Sequence, residues 1–135
     1  MFVVDASVAL AWCFTDESNA SADRALERLA EDSALAPSIW PFEVANGLRT
    51  AERGGRLGPG DLARLRELLR ALPVYLDVVD LETAVGEVLA VARSLDLTAY
   101  DAAYLTLASR RGLALATVDA RLRRACLRAG VQLLE

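Results

Sequence analysis

The chain has 135 residues, 54% of them hydrophobic, which is enough to close one ordinary domain around a core. Its 15 basic residues are all arginine, 19 acidic residues outnumber them to leave a formal charge of −4, and histidine is absent. Imidazole acid/base catalysis, a Ser-His-Asp triad, a lysine Schiff base and a phosphate-loop lysine are therefore excluded, and sequence-blind electrostatic binding of nucleic acid is not expected.

Phe2 to Val4 predicts a short strand that stops at Asp5, after which Ser7 caps a brief helix carrying Val8, Leu10 and Trp12. Ser18 to Ala30 predicts a helix, with Ala22, Ala25, Leu26 and Leu29 on one side and Asp23, Arg24, Glu27 and Arg28 on the other. Ala34 to Ala36 reads as a strand ended by Pro37. A long helix follows from Trp40 to Arg53, closed by Gly54 and Gly55, and Asp61 caps the next, whose stripe is Leu62, Leu65, Leu69 and Leu72. Val74 to Val79 alternates as a third strand. Leu81, Val85, Val88, Ala92 and Leu95 mark an amphipathic helix, and Thr98 to Arg111 predicts another, ended at Gly112. Leu113 to Val118 has strand length and terminates at Asp119, a helix with Arg121, Arg123, Arg124 and Arg128 runs up to Gly130, and Val131 to Leu134 supplies a last strand.

Strands alternating with helices predict one α/β domain over residues 1–135, with a mostly parallel sheet and helices on both faces. Ligands of such sheets sit beyond the carboxyl ends of the strands, where Asp5 and Asp119 fall. Cys13 and Cys126 have no histidine to complete a zinc set and read as structural thiols. The N-terminus lacks a signal-peptide pattern and no segment has the length of a bilayer span, so a cytoplasmic protein with no membrane role is expected.

The chemistry rests on Asp5, Glu43, Asp101 and Asp119. Each acid has an ordinary explanation when taken singly. Asp119 caps the arginine-rich helix, Asp101 completes a capping box with Thr98, and Glu43 is a solvated helix residue. Asp5 is the least comfortable bystander, because it follows a strand buried enough to read Phe-Val-Val. Together they are expected to converge. Two carboxylates about 4 Å apart repel by roughly 4 kcal/mol at an effective dielectric near 20, so an acid cluster calls for cations, and all-oxygen ligands favour Mg²⁺ or Mn²⁺. Ser7, Asn46 and Thr117 stand close to the acids in sequence and are candidates to orient them or to hold ion-bound water.

The segments VVDASV, EVANGLRTAERGGRL, TAYDAAYLTLASRRGL and LATVDARL occur in this order across nearly the whole chain. In this order and at this length the chain resembles PIN-domain ribonucleases, specifically the VapC-type toxins of bacterial and archaeal toxin-antitoxin pairs. The resemblance implies a three-layer α/β/α sandwich with a central parallel sheet. It also implies Asp5, Glu43, Asp101 and Asp119 as the catalytic acidic quartet; Asp5, which ends the central strand, is the expected central metal ligand, with Asp101 and Asp119 as further ligands and Glu43 completing the direct or water-mediated shell. The implied activity is Mg²⁺- or Mn²⁺-dependent endonucleolytic cleavage of RNA, by homodimers that a cognate antitoxin inhibits through a tail in the active-site groove.

Substrate-binding candidates are the arginines near the acids in sequence, Arg49, Arg53, Arg110 and Arg121, against a background role as solvated helix surface. Trp12 and Phe14 are candidates to stack a base. An apolar groove around Leu48 and Leu65 is the expected antitoxin seat. The rival readings are a metal-binding regulatory module without catalysis, and a phosphoryl-transfer domain. The second is disfavoured because no lysine is present to neutralise a phosphoryl group, and no residue of the chain discriminates against DNA.

Overall fold

A computed structural model describes residues 1–14, 16 and 19–135. Its centre is a four-stranded parallel sheet of β1 (Phe2–Val4), β2 (Ala34–Pro37), β3 (Val74–Asp77) and β4 (Leu115–Ala116) in the order β3-β2-β1-β4. Val3 pairs with Leu35 on one side and with Leu115 on the other, so β1 lies inside the sheet. Its apolar run has no polar alternation because both faces are covered, and Phe2, Val3 and Val4 are all buried.

The helices complete a three-layer α/β/α sandwich. They are α1 (Ala6–Cys13), α2 (Ala20–Arg28), α3 (Trp40–Arg53), α4 (Pro59–Arg70), α5 (Leu81–Thr83), α6 (Leu89–Leu95), α7 (Ala99–Arg111) and α8 (Ala120–Ala129). Helix α7 packs against β1, β2 and β4, while α1 lies between α2 and α3. Seven consecutive residues of α7, Ala102 to Ala108, are buried, which places this helix deep in the protein. Helices α1 and α3 approach closely at Gly47, where a Cβ would stand 2.3 Å from Leu10 Cδ1. That approach seats the middle of α3 against α1.

Several elements differ from the sequence expectation, each for a local reason. The cap of α1 is Asp5, whose side chain accepts from Val8 N, while Ser7 lies inside the helix. Helix α2 is capped by Asn19, and the expected start at Ser18 lies outside the described residues. Gly58 is the N-cap of α4, and Asp61 sits at its third position, accepting from Gly58 N at 2.8 Å. Strand β3 ends at Asp77, two residues short of Val79; Val79 N bonds to Ser38 Oγ instead of a neighbouring strand. Strand β4 is only Leu115–Ala116, because the amides of Val118 and Asp119 bond to the hydroxyls of Ser7 and Thr117 and leave the ladder. The expected last strand is reduced to a single parallel bridge between Leu133 and Leu115.

The stripe from Leu81 to Leu95 is interrupted. Residues Ala84–Val88 between α5 and α6 form a π-helical stretch, in which the wider turn shifts the phase of the side chains that precede it. Val88 and Ala92 are buried, whereas Leu81 and Val85 face solvent. Both cysteines are buried free thiols in different parts of the core, Cys126 with Leu122 in the main cluster and Cys13 with Leu65 in a second one under α4. Leu65 is fully buried, so it supports folding and does not line a docking groove; its replacement by glutamate would disrupt that second cluster. Among the described residues no helix is long and apolar enough to cross a membrane.

Candidate active site

The site grows from the end of β1. Asp5 leaves the strand, caps α1 with an extended backbone, and carries a carboxylate that is 4% exposed. Oδ1 accepts from Ser7 Oγ at 2.6 Å and from Val8 N at 3.1 Å, and Oδ2 accepts from Thr117 Oγ1. The two hydroxyls are themselves fixed by backbone. Val118 N donates to Ser7 Oγ at 3.1 Å, and Asp119 N donates to Thr117 Oγ1 at 3.1 Å. Two segments more than a hundred residues apart in sequence are thus joined through one carboxylate.

These hydrogen bonds favour the ionised form, yet burial outweighs them. The Asp5 carboxyl is pushed up to about 6, chiefly by loss of solvent, against the lowering influence of Ser7, Thr117 and the Val8 amide, with the charge of Asp101 adding to the rise. Asp101, in the first turn of α7, is also raised, first by burial and then by the charges of Asp119 and Glu43. Asp101 thus stands between the others electrostatically, its charge acting on Asp5 and the charges of Asp119 and Glu43 acting on it. Asp119 caps α8, accepting from Arg121 N at 2.8 Å, and Thr98 caps α7 by accepting from Asp101 N at 3.1 Å. The capping roles and the convergence hold together: each acid stands at a helix N-cap or in a first turn, where the helix dipole favours negative charge.

Among the described residues none of the four acids forms an ion pair, and no three acidic or thiol side chains form a ready-made cage for a metal. The donor set nevertheless suits a hard divalent ion. It is made of carboxylate and hydroxyl oxygens, it includes a buried carboxylate whose charge no cation offsets, and it offers no soft ligand. A groove of about 740 Å³ runs from Ser7 and Val118 past Leu10, Gly47 and Thr50 to Arg56.

A profile of the PIN domain matches residues 2–127. The chain belongs to the PIN-domain family. It is 37% identical to ribonuclease VapC9 of Mycobacterium tuberculosis over 123 residues, which cover 90% of this chain and 88% of that protein. It is 32% identical to ribonuclease VapC3 of Pyrobaculum aerophilum, over 89% of this chain and 90% of that one. The crystal structure of PAE2754 from Pyrobaculum aerophilum superposes with a TM-score of 0.66 at 28% identity, covering 92% of this chain and 84% of that one.

In this PIN domain the remaining candidates fall in different places. Asn46 is exposed on α3, one turn beyond Glu43. Arg121, at the start of α8, acts electrostatically on Asp101 and stands at the acid pocket. Arg49 is exposed and pairs with Glu52 at 2.7 Å, and Arg53 is exposed at the end of α3. Arg110 lies nine residues along α7 from Asp101, roughly 14 Å at the helical rise, and is held by Asp77 at 3.0 Å and Glu87 at 3.9 Å. Trp12 is core, its indole N–H donating to the Ala22 carbonyl at 2.7 Å, and Phe14 lines the groove with the Arg56 guanidinium 4.2 Å from its ring centroid. Sequence reasoning missed Tyr104, whose hydroxyl donates to Glu43 Oε1 at 2.6 Å. Its available signal was the spacing of three residues from Asp101, which puts both on one helical face.

The pH dependence of stability follows from Asp5. Its carboxyl holds a proton more tightly in the fold than in the unfolded chain, so it favours the fold at low pH and loses that contribution as pH rises through about 6. Asp5→Asn is therefore expected to stabilise the ion-free protein above this range, by about 3 kcal/mol at most, and to flatten the stability profile of urea denaturation on the acid side. A divalent ion should raise the melting temperature of the wild type and leave that of the variant unchanged. A variant whose profile and ion response match the wild type would remove Asp5 from the centre of the site.

Proposed function

We propose that this PIN domain is a metal-dependent endoribonuclease and the toxin of a VapBC-type toxin-antitoxin pair. The observation that carries the reading is the buried, unpaired carboxylate of Asp5 amid three further acids, on a chain 37% identical to a named VapC ribonuclease. Asp5, Asp101 and Asp119 would hold the ion, Mg²⁺ or Mn²⁺. When bound, such an ion supplies Lewis-acid polarisation of the phosphodiester and a lowered pKa for an attacking water.

The chain's own groups supply the rest. Ser7 and Thr117 fix the Asp5 carboxylate in one orientation, so little reorganisation is needed when the ion arrives. Glu43 stands at the pocket's edge as a carboxylate able to orient water toward phosphorus. Hydrolysis adds that water to phosphorus and breaks one bond to a ribose oxygen, which leaves with a proton. Imidazole-assisted attack by the ribose 2′-hydroxyl has no candidate residue, since the chain contains no histidine. Arg121, coupled to Asp101, is the arginine best placed to meet a phosphate at the pocket.

Two surfaces fit the proposed partners. A groove of about 260 Å³ between α3 and α4 is lined by Trp40, Pro41, Val44, Leu48 and Leu69 and edged by Arg66 and Arg70, and it begins beside Glu43. It suits an amphipathic antitoxin segment with acidic flanks, and the buried Trp40 indole N–H, which has no acceptor among the described residues, offers it a hydrogen bond. The second surface is the apolar face that the π-helical stretch turns outward. Val78, Leu81 and Phe42 are 82%, 77% and 74% exposed around a cleft of about 370 Å³ lined by Ile39, Val79 and Tyr100. A second copy of the chain is its proposed occupant, because so large an apolar face beside the site matches a permanent interface. Action on RNA in the cytoplasm accompanies this reading.

Three measurements test it. Purified protein with Mg²⁺ or Mn²⁺ should cut RNA, EDTA should stop the reaction, and Asp5→Asn should lower the rate by at least about a hundredfold. RNA left intact in all arms would favour a regulatory module without catalysis, and DNA cut equally well would correct the substrate. Ala45→Glu, on the wall of the α3/α4 groove, should weaken capture of the protein encoded by the adjacent gene by at least about tenfold while sparing RNA cleavage. Full capture by this variant would place the antitoxin elsewhere. Light scattering should give a dimer for the wild type and a monomer for the double variant Val78→Asp, Leu81→Glu; a wild-type monomer would remove the proposed interface.

A further inference from the structure

The hydroxyl of Tyr104 is placed where packing does not require one. The side chain is 1% exposed within the main core, and a phenylalanine would fill the same volume without a polar group to satisfy. Instead the hydroxyl reaches from α7 to α3 and donates to Glu43 Oε1 at 2.6 Å. The phenolic proton is directed at Glu43. Burial and the nearby charges of Glu43 and Asp5 raise the hydroxyl's pKa, so it remains a donor.

Glu43 needs such a restraint. It lies in the first turn of α3, it is only partly buried, and among the described residues Tyr104 is its one side-chain hydrogen-bond partner. A glutamate side chain left free there samples several rotamers and spends little time facing the pocket. Tyr104 stands one turn from Asp101 on α7, so a single helix presents one acid directly and orients a second through its hydroxyl.

We infer that Tyr104 is a positioning residue for Glu43, pinning one carboxylate oxygen so that the other is presented to the acid pocket. The inference rests on the ribonuclease reading and deepens it. Tyr104→Phe keeps the ring and removes the pin. It is expected to lower kcat on an RNA oligonucleotide by about 10- to 100-fold with KM nearly unchanged, and to weaken Mn²⁺ binding, measured by calorimetry, by about tenfold. In the background of Glu43→Gln the same substitution should cause no further loss, whereas a role in packing alone would make the two losses multiply.

Glu43→Asp is a second arm that leaves the core untouched, since its shorter side chain keeps the charge but gives up the reach to the hydroxyl. It should reproduce the loss of Mn²⁺ affinity even if Tyr104→Phe folds poorly. Wild-type kcat and Mn²⁺ affinity in Tyr104→Phe, multiplied losses in the double variant, or wild-type affinity in Glu43→Asp would each overturn the inference. If the wild type cuts no RNA, the ribonuclease reading falls and the Mn²⁺ affinities still decide the role of Tyr104. If the wild type cuts RNA and Tyr104→Phe equals it, only the role of Tyr104 falls.

Discussion

The buried carboxylate of Asp5, held by hydroxyls from two distant segments, is the constraint on which the rest of the structure depends. It ends β1, caps α1 and accepts from Ser7 and Thr117 at once. The same hydroxyls take the amides of Val118 and Asp119 out of the sheet, which shortens β4 and turns the chain toward α8. A charged group in such a place costs folding free energy, and the upward shift of its carboxyl measures that cost. The fold tolerates it because every hydrogen bond the carboxylate makes is supplied by short, well-fixed donors.

The rest of the acid pocket is built on the same economy of position. Asp5 and Asp119 cap helices, and Glu43 and Asp101 lie in first turns, so four helix N-termini face one small volume. Their partial positive charges, each worth about 0.3–1 kcal/mol to a neighbouring carboxylate, moderate a repulsion that no ion pair among the described residues relieves. Arginines are kept largely apart. Arg49 and Arg110 are occupied by acids of their own, and Arg121 alone of the candidates acts on the site. In the proposed reading, a negative pocket would admit a phosphodiester once cations had reversed its local sign, the route by which an acidic chain could act on a polyanion.

The surface follows from smaller irregularities. A single π-helical stretch turns Leu81 and Val85 away from the core, and with Val78, Phe42 and Tyr100 they form an apolar face at the edge of the acid site. On the other side of Glu43, α3 and α4 leave a second apolar groove while burying Leu65 completely beneath it.

Much was readable along the chain because the signals are local. The Phe-Val-Val run, the capping serine, threonine and aspartate residues, the glycines after α7 and α8 and the spacing of apolar residues mark elements through interactions spanning a few positions, and the acidic residues with their motifs pointed to the family. What only the tertiary structure decided are matters of distance between remote segments. Ser7 bonds to Asp5 instead of capping α1, Leu65 is core instead of groove, Trp12 is spent on packing, Arg110 is drawn to Asp77, and Tyr104 reaches Glu43 from a helix 61 residues away. Periodicity tells which side of a helix is apolar, but hydrogen bonds and charge interactions depend on a few ångströms between side chains, and those separations exist only after the sheet and its layers have packed.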